Sequence, residues 1–168
     1  LSHVLKEGDA LEIVTLKDRD GLHVYRHTCA HVLAQALKTI YPTCKLSIGP
    51  VIDNGFYYDV DFTTPITMND FQQIEVEMQR IIKSNFPIER FTLPREEAIK
   101  YMQGFKENYK VELIEDLPEG EEISFYKQGN FVDLCKGPHL PSTGKIKAFK
   151  LVSIAGAYWR GDEHNKML

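Results

Sequence analysis

Hydrophobic and polar positions along the chain recur with two periods, and the switch between them predicts most of the elements. After the polar break Asp18-Arg19-Asp20-Gly21, which supplies helix-capping residues, Leu33, Ala36, Leu37 and Ile40 recur at helical spacing until Pro42. A first helix running to Tyr41 follows, since proline disfavours helical backbone in the residue before it. At about 100° per residue, His27 and His31 share one helix face with Gln35 and Lys38. The apolar stripe lies roughly opposite, so it can be buried while the two imidazoles look towards a cleft or solvent.

Downstream the period falls to two. Lys45 to Ile52 and Phe56 to Phe62 flank Asp53-Asn54-Gly55, a strong hairpin signal. Alternation puts Phe56, Tyr58, Val60 and Phe62 on one face and Tyr57, Asp59 and Asp61 on the other. Thr67-Met68-Asn69-Asp70 can cap a second helix carrying Phe71, Ile74, Met78, Ile81 and Ile82, which ends before Pro87. Ile88 to Leu93 reads as a strand, and Pro94 to Met102 and Tyr109 to Leu117 as short helices. Ile123 to Lys127 and Phe131 to Cys135 flank Gln128-Gly129-Asn130 as a second hairpin. Ala148 to Ile154 reads as a further strand, and Ala10 to Thr15 alternates enough for one more. Together these predict an α+β fold with antiparallel β-sheets and packed helices.

Composition narrows the class. With 168 residues and 43% hydrophobic content, the chain can bury a good core. No apolar run is long enough to span a bilayer, so no membrane partner is expected. Three cysteines without a CxxC pair argue for a reducing compartment rather than a disulfide framework. A net charge of −4 argues against a protein that coats nucleic acid. The charge is unevenly spread: residues 112–122 carry six acids and no base, and 136–160 carry Lys136, Lys145, Lys147, Lys150 and Arg160 and no acid. That second stretch suits either a local anion-binding surface or an ordinary solvated one.

The chemistry concentrates in two blocks. Strand alternation places Phe131, Asp133 and Cys135 on one face, and Gly137-Pro138 then forms a tight loop that delivers His139. This CxxxH element and the helical HxxxH supply four nitrogen and sulfur groups, His27, His31, Cys135 and His139, a set that could fill a tetrahedral zinc site. Thr28 stands where a metalloprotease HExxH helix has its glutamate, so peptidase chemistry is disfavoured. Cys29 and Cys44 read as packing residues and Trp159 as a core anchor, while His3, His23 and His164 have no partner pattern.

Four blocks, Arg26-His27-Thr28-Cys29-Ala30-His31, Ile48-Gly49-Pro50-Val51-Ile52-Asp53-Asn54-Gly55-Phe56-Tyr57-Tyr58-Asp59, Asp133-Leu134-Cys135-Lys136-Gly137-Pro138-His139 and Ala155-Gly156-Ala157-Tyr158-Trp159-Arg160-Gly161-Asp162, occur in the order found in one family. They closely resemble the editing domain of bacterial-type threonyl-tRNA synthetase and, more distantly, the alanyl-tRNA editing domains and free-standing AlaX deacylases. The resemblance implies the editing-domain type of fold over residues 18–161, with 1–17 as the tail of a preceding TGS domain and 162–168 as the lead-in to a catalytic domain. It implies hydrolysis of the ester that joins mistakenly attached serine to threonine tRNA, with threonyl-tRNA spared. A missing methyl is worth only about 1–3 kcal/mol to a synthetic site, so a second sieve is needed.

By the same resemblance His27, His31, Lys110, Cys135 and His139 form the catalytic set, and Tyr58 and Asp133 bind substrate. His27 would position or deprotonate the water, Lys110 would stabilise developing charge, and Asp133 would recognise the seryl ammonium. The implied partner is the tRNA(Thr) 3′ end carrying serine, in a cytoplasmic, homodimeric full-length enzyme. The editing reaction requires no cofactor on this reading; zinc on His27, His31, Cys135 and His139 stays open, since the alanyl-type relatives hold zinc with these residue types. The rival readings are an AlaX-like zinc-dependent deacylase and a noncatalytic zinc-stabilised RNA-binding module.

Overall fold

A computed structural model of the chain describes residues 4–168, so His3 lies outside the described residues. The elements in order are α1 (Arg19–Ile40), β1 (Lys45–Leu46), β2 (Val51–Ile52), β3 (Gly55–Phe56), β4 (Val60–Asp61), α2 (Phe71–Ser84), β5 (Ile88–Leu93), α3 (Arg95–Gly104), α4 (Asn108–Glu115), β6 (Ile123–Gln128) and β7 (Phe131–Leu134). The fold is α+β with antiparallel sheets, as the periodicities predict.

The three-stranded sheet β5-β6-β7 is the middle layer. Its two faces differ in kind because each strand alternates. Ile123, Phe125, Val132 and Leu134 pack with Ala98 and Met102 of α3 and Ile114 of α4 into one core. From the other face Phe131 joins a second, larger core with Leu33 and Leu37 of α1 and Ile74, Met78 and Ile81 of α2. Tyr126 stands directly across from Asp133, and Gln128 from Phe131, so the α1-facing side carries the polar groups. Burial at roughly 25 cal/mol per Å² of apolar surface makes these two cores the chief support of the fold.

The first hairpin is split. β1 pairs with β4 and β2 with β3, and the two-residue turn is Asp53-Asn54, so Gly55 pairs with Ile52 instead of forming the turn. Phe56, Tyr58, Val60 and Phe62 all turn towards the core, as alternation predicts. Thr67 and Asp70 form a reciprocal capping box ahead of α2.

Three expectations fail. Residues 10–15 form no strand: Leu11, Ile13 and Val14 stand exposed, with no ladder partner among the described residues. Residues 148–154 form none either, because side chains take their backbone groups. Tyr25 Oη accepts from the Lys147 and Ala148 N–H groups at 2.9 and 2.8 Å, and Glu75 accepts from Leu151 N–H at 2.9 Å. Finally, α1 is not one-sided. It is buried continuously from Thr28 to Leu37, because the sheet covers the face that carries His31 and Gln35 while α2 and the hairpin cover the other. His31 therefore looks into the protein, towards Asp133, rather than to solvent.

Candidate active site

The site lies between α1 and β7. Helical spacing stacks His27 and His31, with ring centroids 5.2 Å apart, and His139 closes the group at 4.2 Å from His27 and 4.1 Å from His31. Cys135 Sγ lies 3.2 Å from His27 Nε2 and 3.3 Å from His139 Nε2, and it accepts from Gly137 N–H at 3.1 Å. All four candidate donor atoms fall within 4.8 Å of one another. The loop that brings His139 back needs glycine at 137. Its φ is +75°, and a Cβ there would meet the Tyr126 hydroxyl at 2.0 Å.

Beside this cluster sits a charged one. Lys110 Nζ lies 2.6 Å from Asp133 Oδ1 and donates to Tyr58 Oη at 2.9 Å, and Tyr58 Oη donates to Asp133 Oδ2 at 2.5 Å. His31 Nε2 completes the link at 3.6 Å from Asp133 Oδ2. Lys110 and Asp133 are only 3% and 2% exposed, so each is the other's compensation for lost hydration. Gly49 matters here as well: a Cβ would strike the Tyr58 ring at 2.4 Å, so glycine lets the ring lie flat against the hairpin backbone and reach Asp133. Lys110 and Asp133 also line a cavity of about 250 Å³ with Gln35, Lys38, Glu107 and Phe131.

Electrostatics follow from burial. It pushes the Cys135 thiol up to about 12, so the sulfur stays protonated at neutral pH and acts as a hydrogen-bond partner. It lowers the pKa of His27, and lowers those of His31 and His139 further, with the neighbouring imidazoles adding to the effect. All three rings are therefore neutral at pH 7. Tyr58 is held well above its usual value by burial and by Asp133.

Those shifts carry a stability consequence. In the unfolded chain each histidine titrates near 6.5, and the folded state refuses the proton, so stability is complete above about pH 6.5 and falls as pH drops. His31 and His139 together should cost about 2–3 kcal/mol per pH unit between pH 6 and 5, at roughly 1.4 kcal/mol per group. Denaturant unfolding of chelator-treated protein across that range measures it; a flat profile would contradict the buried, neutral imidazoles.

The donor chemistry fits a cation. Tetrahedral zinc with nitrogen and thiolate ligands places a sulfur and a nitrogen donor about 3.5 Å apart. The two sulfur–nitrogen spacings, at 3.2 and 3.3 Å, fall slightly short of that. His139 has an outer partner in Thr28, while His31 Nδ1 is buried without one.

Every site residue expected from the sequence therefore gathers in one place: His27, His31, Cys135 and His139 in one group, Tyr58, Lys110 and Asp133 in the next. Sequence reasoning missed Tyr126, whose ring meets that of His139 at 4.6 Å: the turn is the two residues Gly129-Asn130, one shorter than expected, so Gln128 pairs with Phe131 and Tyr126 stands across from Asp133. It also missed the Gln35 and Gln128 amides, which bond each other at 2.9 Å and tie α1 to β6. Trp159 is a buried anchor, donating to Glu112 at 3.0 Å. The basic stretch is partly neutralised, as Lys136 pairs with Glu121, Lys150 with Glu75 and Arg160 with Asp116. Among the described residues no helix is long and apolar enough to cross a membrane.

Comparison with known proteins points one way. Residues 123–168 match the family described as the threonyl and alanyl tRNA synthetase second additional domain. The whole chain is 62% identical over 168 residues to a threonine–tRNA ligase of Acetivibrio thermocellus. It is 65% identical over 164 residues, 98% of the chain, to one of Clostridium tetani. A third, from Caldanaerobacter subterraneus subsp. tengcongensis, is 61% identical over 168 residues. In each case the chain spans about a quarter (26%) of the relative's length.

Proposed function

The chain belongs to the threonyl-tRNA synthetase family, spanning about a quarter of its relatives' length, and from that membership we propose that it is the editing module, hydrolysing the ester of serine mistakenly joined to tRNA(Thr). The observation that carries this reading is the juxtaposition of three neutral imidazoles and a protonated thiol with the buried Lys110–Asp133 pair. Ester hydrolysis needs a group to orient and deprotonate water, a cation near the developing oxyanion, and a counter-charge for the substrate ammonium.

His27 is the water-positioning base in this reading. It is part-exposed where His31, one turn further along α1, is buried, and being neutral it keeps one ring nitrogen that can accept a proton. Lys110 uses two N–H groups on Asp133 and Tyr58, leaving a third for the oxyanion. Each Asp133 oxygen has one partner from Lys110 or Tyr58 and keeps a lone pair for the seryl ammonium. Cys135 braces His27 and His139. His27, His31, Cys135 and His139 are also the residues that would hold zinc, which when bound would polarise the ester carbonyl or a water.

The test is deacylation of seryl- and threonyl-tRNA(Thr) by the isolated chain. Hydrolysis of the seryl ester with the threonyl ester spared is expected; equal cleavage of both, or of neither, would overturn the proposal.

A further inference from the structure

Thr28 sits between the two helical histidines, and its fully buried hydroxyl meets three groups at once. The Leu140 N–H points at Oγ1 from 3.0 Å, the Val24 carbonyl oxygen lies 2.9 Å away, and His139 Nδ1 lies 3.1 Å away. A hydroxyl has one proton and two lone pairs, so the roles can be worked out. The Leu140 amide can only donate, which takes one lone pair. The Val24 carbonyl can only accept, so if the hydroxyl proton pointed elsewhere, two oxygen lone pairs would confront each other at 2.9 Å. The proton therefore goes to Val24, and the remaining lone pair faces His139 Nδ1. Only an Nδ1–H makes that contact favourable.

We infer that Thr28 is a positioning residue that locks His139 in its Nδ1–H tautomer, leaving Nε2 unprotonated and aimed at Cys135 Sγ. The assignment rests on the editing reading for its functional consequence, but not for its structure. With Nε2 bare, His139 accepts the Cys135 thiol proton across the 3.3 Å contact, and Sγ in turn accepts from Gly137 N–H. The opposite tautomer would set Nδ1 against a lone pair of Thr28. The loop itself is registered by the same atom, since Leu140 follows His139 directly and its amide is held by Thr28. One hydroxyl thus sets both the position and the protonated nitrogen of a ring supplied from 111 residues further along the chain. In hydrolases and metal sites the partner of the outer ring nitrogen fixes tautomer and orientation in this way.

Long-range 1H–15N correlation on 15N-labelled, chelator-treated protein at neutral pH reads the tautomer directly. Wild-type His139 should show a protonated Nδ1 and an unprotonated Nε2; the reverse pattern overturns the assignment. Thr28→Ser, which keeps the hydroxyl, should keep that pattern. Thr28→Val, which matches the shape without the hydroxyl, should shift His139 towards the Nε2–H form, and an unchanged pattern in it overturns the role of Thr28. Should Thr28→Val fail to fold, the wild-type spectrum and Thr28→Ser still decide. Seryl-tRNA deacylation should fall about 10- to 100-fold in Thr28→Val and stay within about threefold in Thr28→Ser, the range seen when the outer partner of a functional histidine is lost. A wild-type chain with the expected tautomer and no deacylation would uphold the positioning role while overturning the editing reading.

Discussion

With alanine in place of His27, the chain is expected to stay folded and to lose seryl-tRNA hydrolysis by about 10²- to 10⁴-fold, the range that a positioned acid–base group contributes. Stability should survive because His27 lies at the rim of the buried stretch of α1, which begins at Thr28. The substitution removes one bond to Cys135 Sγ and ring contacts with His31 and His139, while Cys135 keeps His139 Nε2 and the Gly137 amide. The core residues Val32, Leu33, Ala36 and Leu37 that hold the helix are untouched. Thermal unfolding and deacylation measured on the same preparation check both halves. A noncatalytic zinc-stabilised module makes the opposite forecast, since removing a ligand of a structural metal removes folding energy outright. Unfolding of the variant would favour that module, and a folded variant with full activity would remove His27 from the mechanism.

How far the sequence could foresee this site depends on the distance each inference had to cover. Local periods sufficed for β7, where alternation alone separates Phe131 and Asp133 from Val132 and Leu134: the structure sends Phe131 into the larger core and Asp133 into the site beside it, and Val132 and Leu134 into the other core. They sufficed for the face of the first hairpin that delivers Tyr58. They failed for residues 10–15 and 148–154, because alternation describes a strand's surface and says nothing of whether a partner strand exists to complete its ladder. They failed again on the surroundings of His31. A helix wheel shows which residues share a face, yet only the packed fold shows that β7 covers it. The place of Lys110 in the charged cluster came from family resemblance alone. The contacts of Thr28 escaped notice for a similar reason: two of its three partners, Leu140 and His139, lie more than 100 residues away.

The Lys110–Asp133 pair should show the largest stability effect of any polar substitution in the chain. Lys110→Met leaves a carboxylate that is 2% exposed with only the Tyr58 hydroxyl and, at 3.6 Å, His31 for company. Breaking a buried pair from one side costs about 3–5 kcal/mol, because the surviving charge keeps its desolvation penalty and loses its compensation. For a domain of this size that is a fall in melting temperature of roughly 6–20 °C. Asp133→Leu should cost a similar amount by stranding Lys110. The double variant Lys110→Met/Asp133→Leu should recover part of the loss, since two apolar groups of similar volume need no compensation and only the Tyr58 hydroxyl loses its two partners. The double-mutant cycle thus isolates the coupling between the two side chains. Function should not follow stability. The double variant has no donor for the oxyanion and no counter-charge for the seryl ammonium, so its deacylation should remain as low as that of either single variant. If hydrolysis instead returned with the fold, the pair would serve packing only, and the chemistry would have to rest on the imidazoles and Cys135 alone.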